Sequence, residues 1–316
     1  MHAAVVTTFD APPTYRDFPT PIPQTADEIL VDVVAAGLHP RVRSQADGSH
    51  YASSVELPLV PGIDGVGRAP DGALRYFVLP DTTMGAMAEQ TVIDQRRSFT
   101  LPDGVDPILV AAAVNPVMSS WIALRRRIEF QPGQKVLVLG ATGSSGRMAV
   151  QVAKHLGASQ VIGAGRDAQR LSALADLGAD TTVRLDNAAA LSDLAKLARD
   201  VDVIIDYLWG PITADLIAGI ASIRSDPGKP LTWIEIGSVA GGSAEIPSAA
   251  LRAVRLQVVG SGSGSVPTRD ILAEMPALVD EITGGTFRID ARAVPLADVE
   301  TAWSDSVTDQ RIVIAP

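Results

Sequence analysis

Two kinds of hydrophobic pattern divide the chain. Up to about residue 105 the apolar positions come in short alternating or β-branched runs, "HAAVVTTF", "EILVDVVAAGL", "LRYFVL" and "AEQTVI", broken by proline and glycine. Alternation punctuated in this way predicts an irregular, mostly β domain. Beyond "LPDGVD" the period changes: residues 107 to 128 are alanine-rich and predict a helix. Strand-then-helix units follow, "KVLVLG" with a helix at 145 to 156 and "SQVIGAG" with one at 168 to 177. "DTTVRL" then leads to "AAALSDLAKLAR", "DVIIDYL" to "PITADLIAGIAS", and "LTWIEIG" to "IPSAALRAV". Strands apolar throughout, alternating with helices, predict a parallel sheet covered on both faces. Residues 118–262 are therefore read as a doubly wound domain, and 1–117 with 263–316 as a second one, "GSGSGS" at 260 to 265 being the candidate crossing. The tail predicts a helix at 268 to 284, then "FRIDARAVPL", a short helix at "ADVETAWSD" and a closing strand "RIVIAP".

Composition narrows the function classes. With 36 acidic against 26 basic residues the chain carries a formal charge of −10, which repels phosphate backbones and anionic membrane surfaces, so no nucleic acid partner is expected. No cysteine is present, which removes disulfides, thiolate metal sites and cysteine nucleophiles and fits a cytoplasmic protein. The most apolar stretch, "PILVAAAVNPVMSSWIAL", contains two prolines and runs into Arg125, Arg126 and Arg127, so no membrane span is expected; nor is a signal peptide read at the N-terminus.

The chemistry starts at "VLVLGATGSSGRMAV", where Gly140, Gly143 and Gly146 lie between an apolar strand and an amphipathic helix. In that setting small residues let backbone approach a pyrophosphate, and the helix start from Ser144 to Arg147 offers unpaired N–H groups and a positive dipole end. Thr142, Ser144 and Ser145 add hydroxyls. The spacing departs from the commoner Gly-x-Gly-x-x-Gly, and glycines also serve plain tight turns, so a second sign is needed. It comes at the end of the next strand, where an NAD site would carry an acidic residue for the ribose 2′-OH. Here Gly165 is followed by Arg166, with Arg170 one helical turn on. Guanidinium groups there suit a 2′-phosphate, hence NADPH, although Asp167 can pair Arg166 instead.

Together with "AAGLHPRVRSQADG" at 35 to 48, "LPLVPGIDGVG" at 57 to 67, "SSWIAL" at 119 to 124, "PGQKVLVLGATGSSG" at 132 to 146, "IEIGS" at 234 to 238 and the terminal "RIVIAP", these residues give the chain its resemblance. It resembles the zinc-independent medium-chain dehydrogenase/reductase superfamily, in its quinone oxidoreductase (zeta-crystallin-like) branch. The resemblance implies a Rossmann doubly wound parallel sheet inserted in a mostly β GroES-like domain, with a homodimer built on the edge strand "RLQVVGSG". It implies that NADPH meets Ser119, the loop from Gly140 to Arg147, and the ends of later strands at Tyr207, Leu208, Ile236, Gly237, Ser238, Ser261 and Gly262.

Departures from the family bear on the reaction. Zinc-dependent relatives place ligands where this chain has His39, Ile63, Asp64 and Asn115; Ile63 cannot ligate, so no catalytic metal is expected. The branch commonly has asparagine at the position of His39 and tyrosine at that of Ser44, and this chain keeps neither. His39 is the candidate catalytic residue, as a proton donor beside the nicotinamide or as a group orienting a carbonyl, with Pro40 restricting it to an extended backbone. Trp121 and Trp209 are candidates to line an apolar cleft. The expected function is hydride transfer from NADPH to a small-molecule quinone or α,β-unsaturated carbonyl. The alternatives are reduction of another C=O or C=N substrate, or an NADPH-binding sensor without turnover.

Overall fold

The computed structural model describes residues 1–50, 56–262, 264–305 and 310–316; of the glycine-serine stretch, residue 263 lies outside them. It divides into two compact units, Met1–Asn115 with Leu272–Pro316, and Pro116–Ile271. In chain order the first part of the first unit contains β1 (His2–Val5), β2 (Thr14–Asp17), β3 (Glu28–Gly37), α1 (Pro40–Ala46), β4 (Asp64–Arg68), β5 (Leu74–Val78), β6 (Gln90–Asp94) and β7 (Ser98–Thr100). Helix α2 (Pro107–Ile122) follows and continues as a π-helical turn over Ala123–Arg127, so the single helix expected at 107 to 128 changes its winding near the end. Among the described residues this is the one segment apolar enough to cross a membrane by length and composition, and 67% of it is buried in protein, as in a core helix.

The second unit contains β8 (Lys135–Leu139), α3 (Ser144–His155), β9 (Gln160–Gly165), α4 (Ala168–Ser172), β10 (Thr181–Arg184), α5 (Ala188–Leu197), β11 (Val203–Asp206), α6 (Pro211–Ile223), β12 (Leu231–Glu235), α7 (Ser248–Ala253) and β13 (Leu256–Gly260). The chain then runs through α8 (Thr268–Thr283), β14 (Ala291–Pro295), α9 (Val299–Ser304) and β15 (Arg311–Ala315). The helix expected over 168 to 177 ends early. After Ser172 the chain tightens into a 3₁₀ turn, Ala175–Leu177, that closes on left-handed Gly178 (φ 104°) and buries Leu174. Leu174 has room because residue 163 is glycine: a β-carbon there would lie 2.9 Å from Leu174 Cδ1.

In the first unit a seven-stranded sheet runs β14-β15-β3-β4-β5-β7, with β6 also paired to β3. All its pairings are antiparallel except β14 with β15. Strand β4, "DGVGR", has too little apolar character to read as a strand. Its glycines are required by crowding, since β-carbons at Gly65 and Gly67 would meet Ala35 O at 2.7 Å and Val31 Cγ2 at 2.8 Å. The core packs Val31, Val33, Phe77, Met87 and Ile93 with Val299, Ile312 and Ile314 from the tail.

The second unit is a six-stranded parallel sheet in the order β10-β9-β8-β11-β12-β13. The order reverses between β8 and β11, and in open α/β sheets ligands bind outside the carboxyl ends of the strands at such a reversal. Val136 to Leu139, Ile204, Ile205, Trp233 and Ile234 are fully or nearly fully buried, as strands covered on both faces must be. The fold is thus α/β, a Rossmann-type sheet inserted in the sequence of a mostly β GroES-like unit.

Candidate functional site

Because the strands of the second unit are parallel, their carboxyl ends share one sheet edge. That edge carries Gly140 after β8, Gly165 at the end of β9, Tyr207 and Leu208 after β11, Ile236 to Ser238 after β12, and Ser261 and Gly262 after β13. Gly140 is left-handed (φ 79°), which turns the chain back so that Gly143 N donates to Gly140 O at 3.0 Å. Gly143 then caps α3 with extended backbone and no side-chain partner for the first N–H groups. Those groups have no partner within the helix. A β-carbon at Gly146 would lie 2.1 Å from Gly140 O, and one at Gly165 would lie 2.6 Å from Thr142 Cγ2. The loop is a cradle of backbone donors drawn tight by the absence of side chains. Arg147 stands in the first turn of α3 with its Nε buried and without a hydrogen-bond partner. The cradle fits a pyrophosphate.

At the end of β9, Arg166 is exposed, and Asp167 does not engage it. The Asp167 carboxylate accepts from Arg170 N (3.0 Å), capping α4, and lies 3.6 Å from Arg170 Nε. The parallel register adds a residue missed in the sequence: Arg184, the last of β10, is paired with Gly165. Three arginines therefore stand at or just beyond the carboxyl ends of β9 and β10, where a ribose 2′-phosphate would lie, with no acidic residue terminating β9; Arg184 Nε lies 3.5 Å from Asp186 Oδ2. Behind the loop, Tyr207 shares a 2.8 Å hydrogen bond with Ser119 Oγ, and burial pushes its phenol up to about 12. Of the two tryptophans, Trp121 does not line an opening. It is 3% exposed, stacks on His155 at 5.8 Å and lies under the Arg125 guanidinium at 4.9 Å.

His39 belongs to the first unit. It precedes Pro40 with extended backbone (φ −131°, ψ 166°) and is 2% exposed. Its Nε2 donates to Asp64 Oδ1 at 3.1 Å, and Tyr76 donates its phenolic proton to Asp64 Oδ2 at 2.7 Å. The acceptor-only carboxylate sets the tautomer, leaving Nδ1 with the lone pair, buried and unpartnered. Arg311 enters the same cluster through the pairing of β15 with β3, where Leu38 N donates to Ile312 O at 3.0 Å. Burial lowers Arg311 to about 10, with Asp64 and Tyr76 opposing. Burial also holds the His39 imidazolium below its ordinary value; Asp64 opposes this, while Arg311 and Arg41 add to it. Tyr76 is pushed well up by burial and then by the Asp64 charge.

A family model described as zinc-binding dehydrogenase matches residues 146–282. A "Probable NADPH-dependent quinone reductase" of Emericella nidulans is 32% identical over 366 aligned positions, covering 100% of both chains. The chain belongs to the medium-chain dehydrogenase/reductase superfamily, in its quinone oxidoreductase branch. An NADPH-dependent alkenal/one oxidoreductase of Arabidopsis thaliana is 28% identical over 198 residues, 58% of this chain and 50% of that one. The quinone oxidoreductase of Thermus thermophilus, solved also with NADPH, shares the fold with a TM-score of 0.79 over 100% of both chains at 24% identity.

The zinc in the family model's description finds no matching ligand set in this medium-chain dehydrogenase/reductase. Ile63 has no donor atom, and His39 Nε2 is committed to Asp64. Among the described residues no group of three or more His, Cys, Asp or Glu side chains is placed to hold a metal ion. The dinucleotide fits, and the cradle gives the test. Gly146→Ala should weaken binding of NADPH by about tenfold or more in a folded variant, because α3 must retreat from the Gly140 turn. Calorimetric titration measures this; an unchanged affinity would show that the close approach is not needed.

Proposed function

We propose that this protein is an NADPH-dependent reductase that delivers hydride, without a metal, to a quinone or to the β-carbon of an α,β-unsaturated ketone or aldehyde. The observation that carries the reading is the pairing of the phosphate cradle at Gly140–Gly146 with Arg166, Arg170 and Arg184 at the next strand ends, in a chain alignable end to end with a quinone reductase. When bound, NADPH supplies the hydride. Arg166 and Arg170 hold the 2′-phosphate with Arg184 beside them, the first turn of α3 with Thr142, Ser144, Ser145 and Arg147 holds the pyrophosphate, and Ser119, Tyr207, Leu208, Ile236 to Ser238, Ser261 and Gly262 shape the remainder.

We assign the proton that completes the reduction to His39 Nδ1 in the imidazolium form, which Asp64 orients and stabilises before the transfer; the step leaves a neutral ring that takes its next proton from solvent. The same dyad favours a second reading, reduction of another polarised C=O or C=N bond, in which a positioned imidazolium protonates the heteroatom. We also infer a homodimer paired along β13, an edge strand with Val258 37% exposed and Leu251 47% exposed on the preceding helix. A chain with no cysteine to oxidise suits a cytoplasmic setting.

Arg166→Ala should cost NADPH about tenfold to a hundredfold in affinity, the range of one charge-assisted contact, and leave NADH nearly unchanged. Parallel titrations of both nucleotides measure the gap; equal losses for the two would remove Arg166 from phosphate recognition. For His39, the protonated form is the donor and its pKa lies below the ordinary 6.5, so kcat should be highest at acid pH and fall as pH rises through that lowered value. His39→Ala should flatten that profile and reduce kcat by about 10² at low pH, with NADPH affinity kept. A variant within a few-fold of the parent, with the same pH profile, would leave solvent as the proton source.

A further inference from the structure

Asp206 ends β11 with no exposed surface, and both of its oxygens are fully engaged. Oδ1 accepts from the backbone N–H groups of Leu208 (2.7 Å) and Trp209 (3.0 Å). Oδ2 accepts from Thr213 Oγ1 (2.6 Å) on α6 and from Trp233 Nε1 (2.9 Å) on β12. All four partners are used as donors, which suits an acceptor-only carboxylate; an amide in its place would turn N–H against the Thr213 and Trp233 donors.

The carboxylate holds a shape that the chain resists on its own. Trp209 has φ 54°, the only positive φ outside glycine among the described residues, and left-handed Gly210 (φ 77°) follows it. Such a conformation is disfavoured for a bulky side chain and persists where the surroundings over-determine it. Here two hydrogen bonds to Asp206 Oδ1 do so.

The turn fixed in this way touches the other segments of the dinucleotide edge. Tyr207 Cβ and Leu208 Cδ2 each lie 3.2 Å from where a β-carbon on Gly140 would stand. Tyr207 reaches Ser119 through its hydroxyl. The carbonyls of Tyr207 and Leu208 accept from Val239 N (3.4 Å) and Ala240 N (2.8 Å), and the Asp206 carbonyl accepts from Ile236 N (2.8 Å) and Gly237 N (3.2 Å). Gly210 closes on the same loop, since a β-carbon there would lie 2.9 Å from Ala240 O. The strand order puts β9 and β10, with the arginines, on one side of β8, and β11 and β12 on the other. A dinucleotide whose 2′-phosphate lies at β9 and whose pyrophosphate lies at α3 must extend its nicotinamide half over β11 and β12.

We infer that Asp206, which is enclosed and touches no ligand itself, is the positioning residue of the nicotinamide half of the site. It sets the Tyr207–Gly210 turn and, through it, the loop from Ile236 to Ala240. This inference rests on the reading of the sheet edge as the NADPH site.

The test uses Asp206→Asn in the full chain, with two ligands. Adenosine 2′,5′-bisphosphate reports the arginine and adenosine end with the adjoining phosphate position at α3, and NADPH reports both halves. Both should bind the unmodified protein, which checks the site reading separately. In the variant, affinity for the bisphosphate should stay within about twofold, while NADPH binds about tenfold or more weakly and kcat falls with it. Unchanged NADPH affinity and kcat would overturn the inference, and so would an equal loss for both ligands, which is the mark of a general structural role. If the asparagine variant does not fold, Trp233→Phe removes a single donor and keeps the carboxylate. The same selective loss, smaller in size, is then expected, and its absence counts against the inference in the same way.

Discussion

Helix α3 can meet the end of β8 only because residue 146 has no side chain. The 2.1 Å separation between a hypothetical β-carbon there and the Gly140 carbonyl is shorter than any contact real atoms tolerate, so every other residue type would push the helix start away from the turn. From that approach follow the exposed first-turn N–H groups, the inward set of Thr142 against Gly165, and the close fit of Tyr207 and Leu208 over Gly140. The proposed phosphate cradle is thus a consequence of backbone packing, and the charges we propose to select one nucleotide are added at its rim.

Of the buried carboxylates, Asp206 in one unit and Asp64 in the other each gather a cluster of polar partners. Asp206 gathers four donors around a strained turn, and Asp64 gathers His39 and Tyr76 beside the Arg311 guanidinium. A buried charge is costly unless its neighbours supply hydrogen bonds or opposite charge, and both clusters meet that condition. The half-buried Glu235 next to Asp206 is pushed up by burial first and by the Asp206 charge second. In the Asp64 cluster His39 Nδ1 and Arg311 Nε are both buried without a partner, and of the two the imidazole nitrogen is the one that can carry a proton near neutral pH, so chemistry can be added there without breaking an existing bond.

The parallel sheet is legible because its central strands, such as β8 and β11, are apolar almost throughout and buried, and because its glycine loop follows a strand and opens a helix. Strand β4 is not, because the space above Gly65 and Gly67 is filled by Ala35 and Val31, and a strand stripped of side chains loses its alternating signal. Arg184 was missed for a different reason. Its proximity to Gly165 exists only in the register of β9 with β10. Asp64 stands in the sequence only beside Ile63 at the family's zinc position, whereas the pairing of β3 with β4 makes it the partner of His39, 25 residues away. Asp206 gave no local sign at all, since an aspartate closing an apolar strand looks like an ordinary turn residue until Thr213 and Trp233 fold onto it.

Turnover is what we propose the cradle and the arginines to serve. It is tested most directly by following NADPH oxidation by the purified protein across a panel of quinones, α,β-unsaturated carbonyls and imines. NADPH should be consumed with quinones or unsaturated carbonyls, undiminished after prolonged treatment with a metal chelator. Tight NADPH binding without oxidation on any member of the panel would contradict it, and would make the chain a nucleotide-binding protein that kept the fold and lost the reaction.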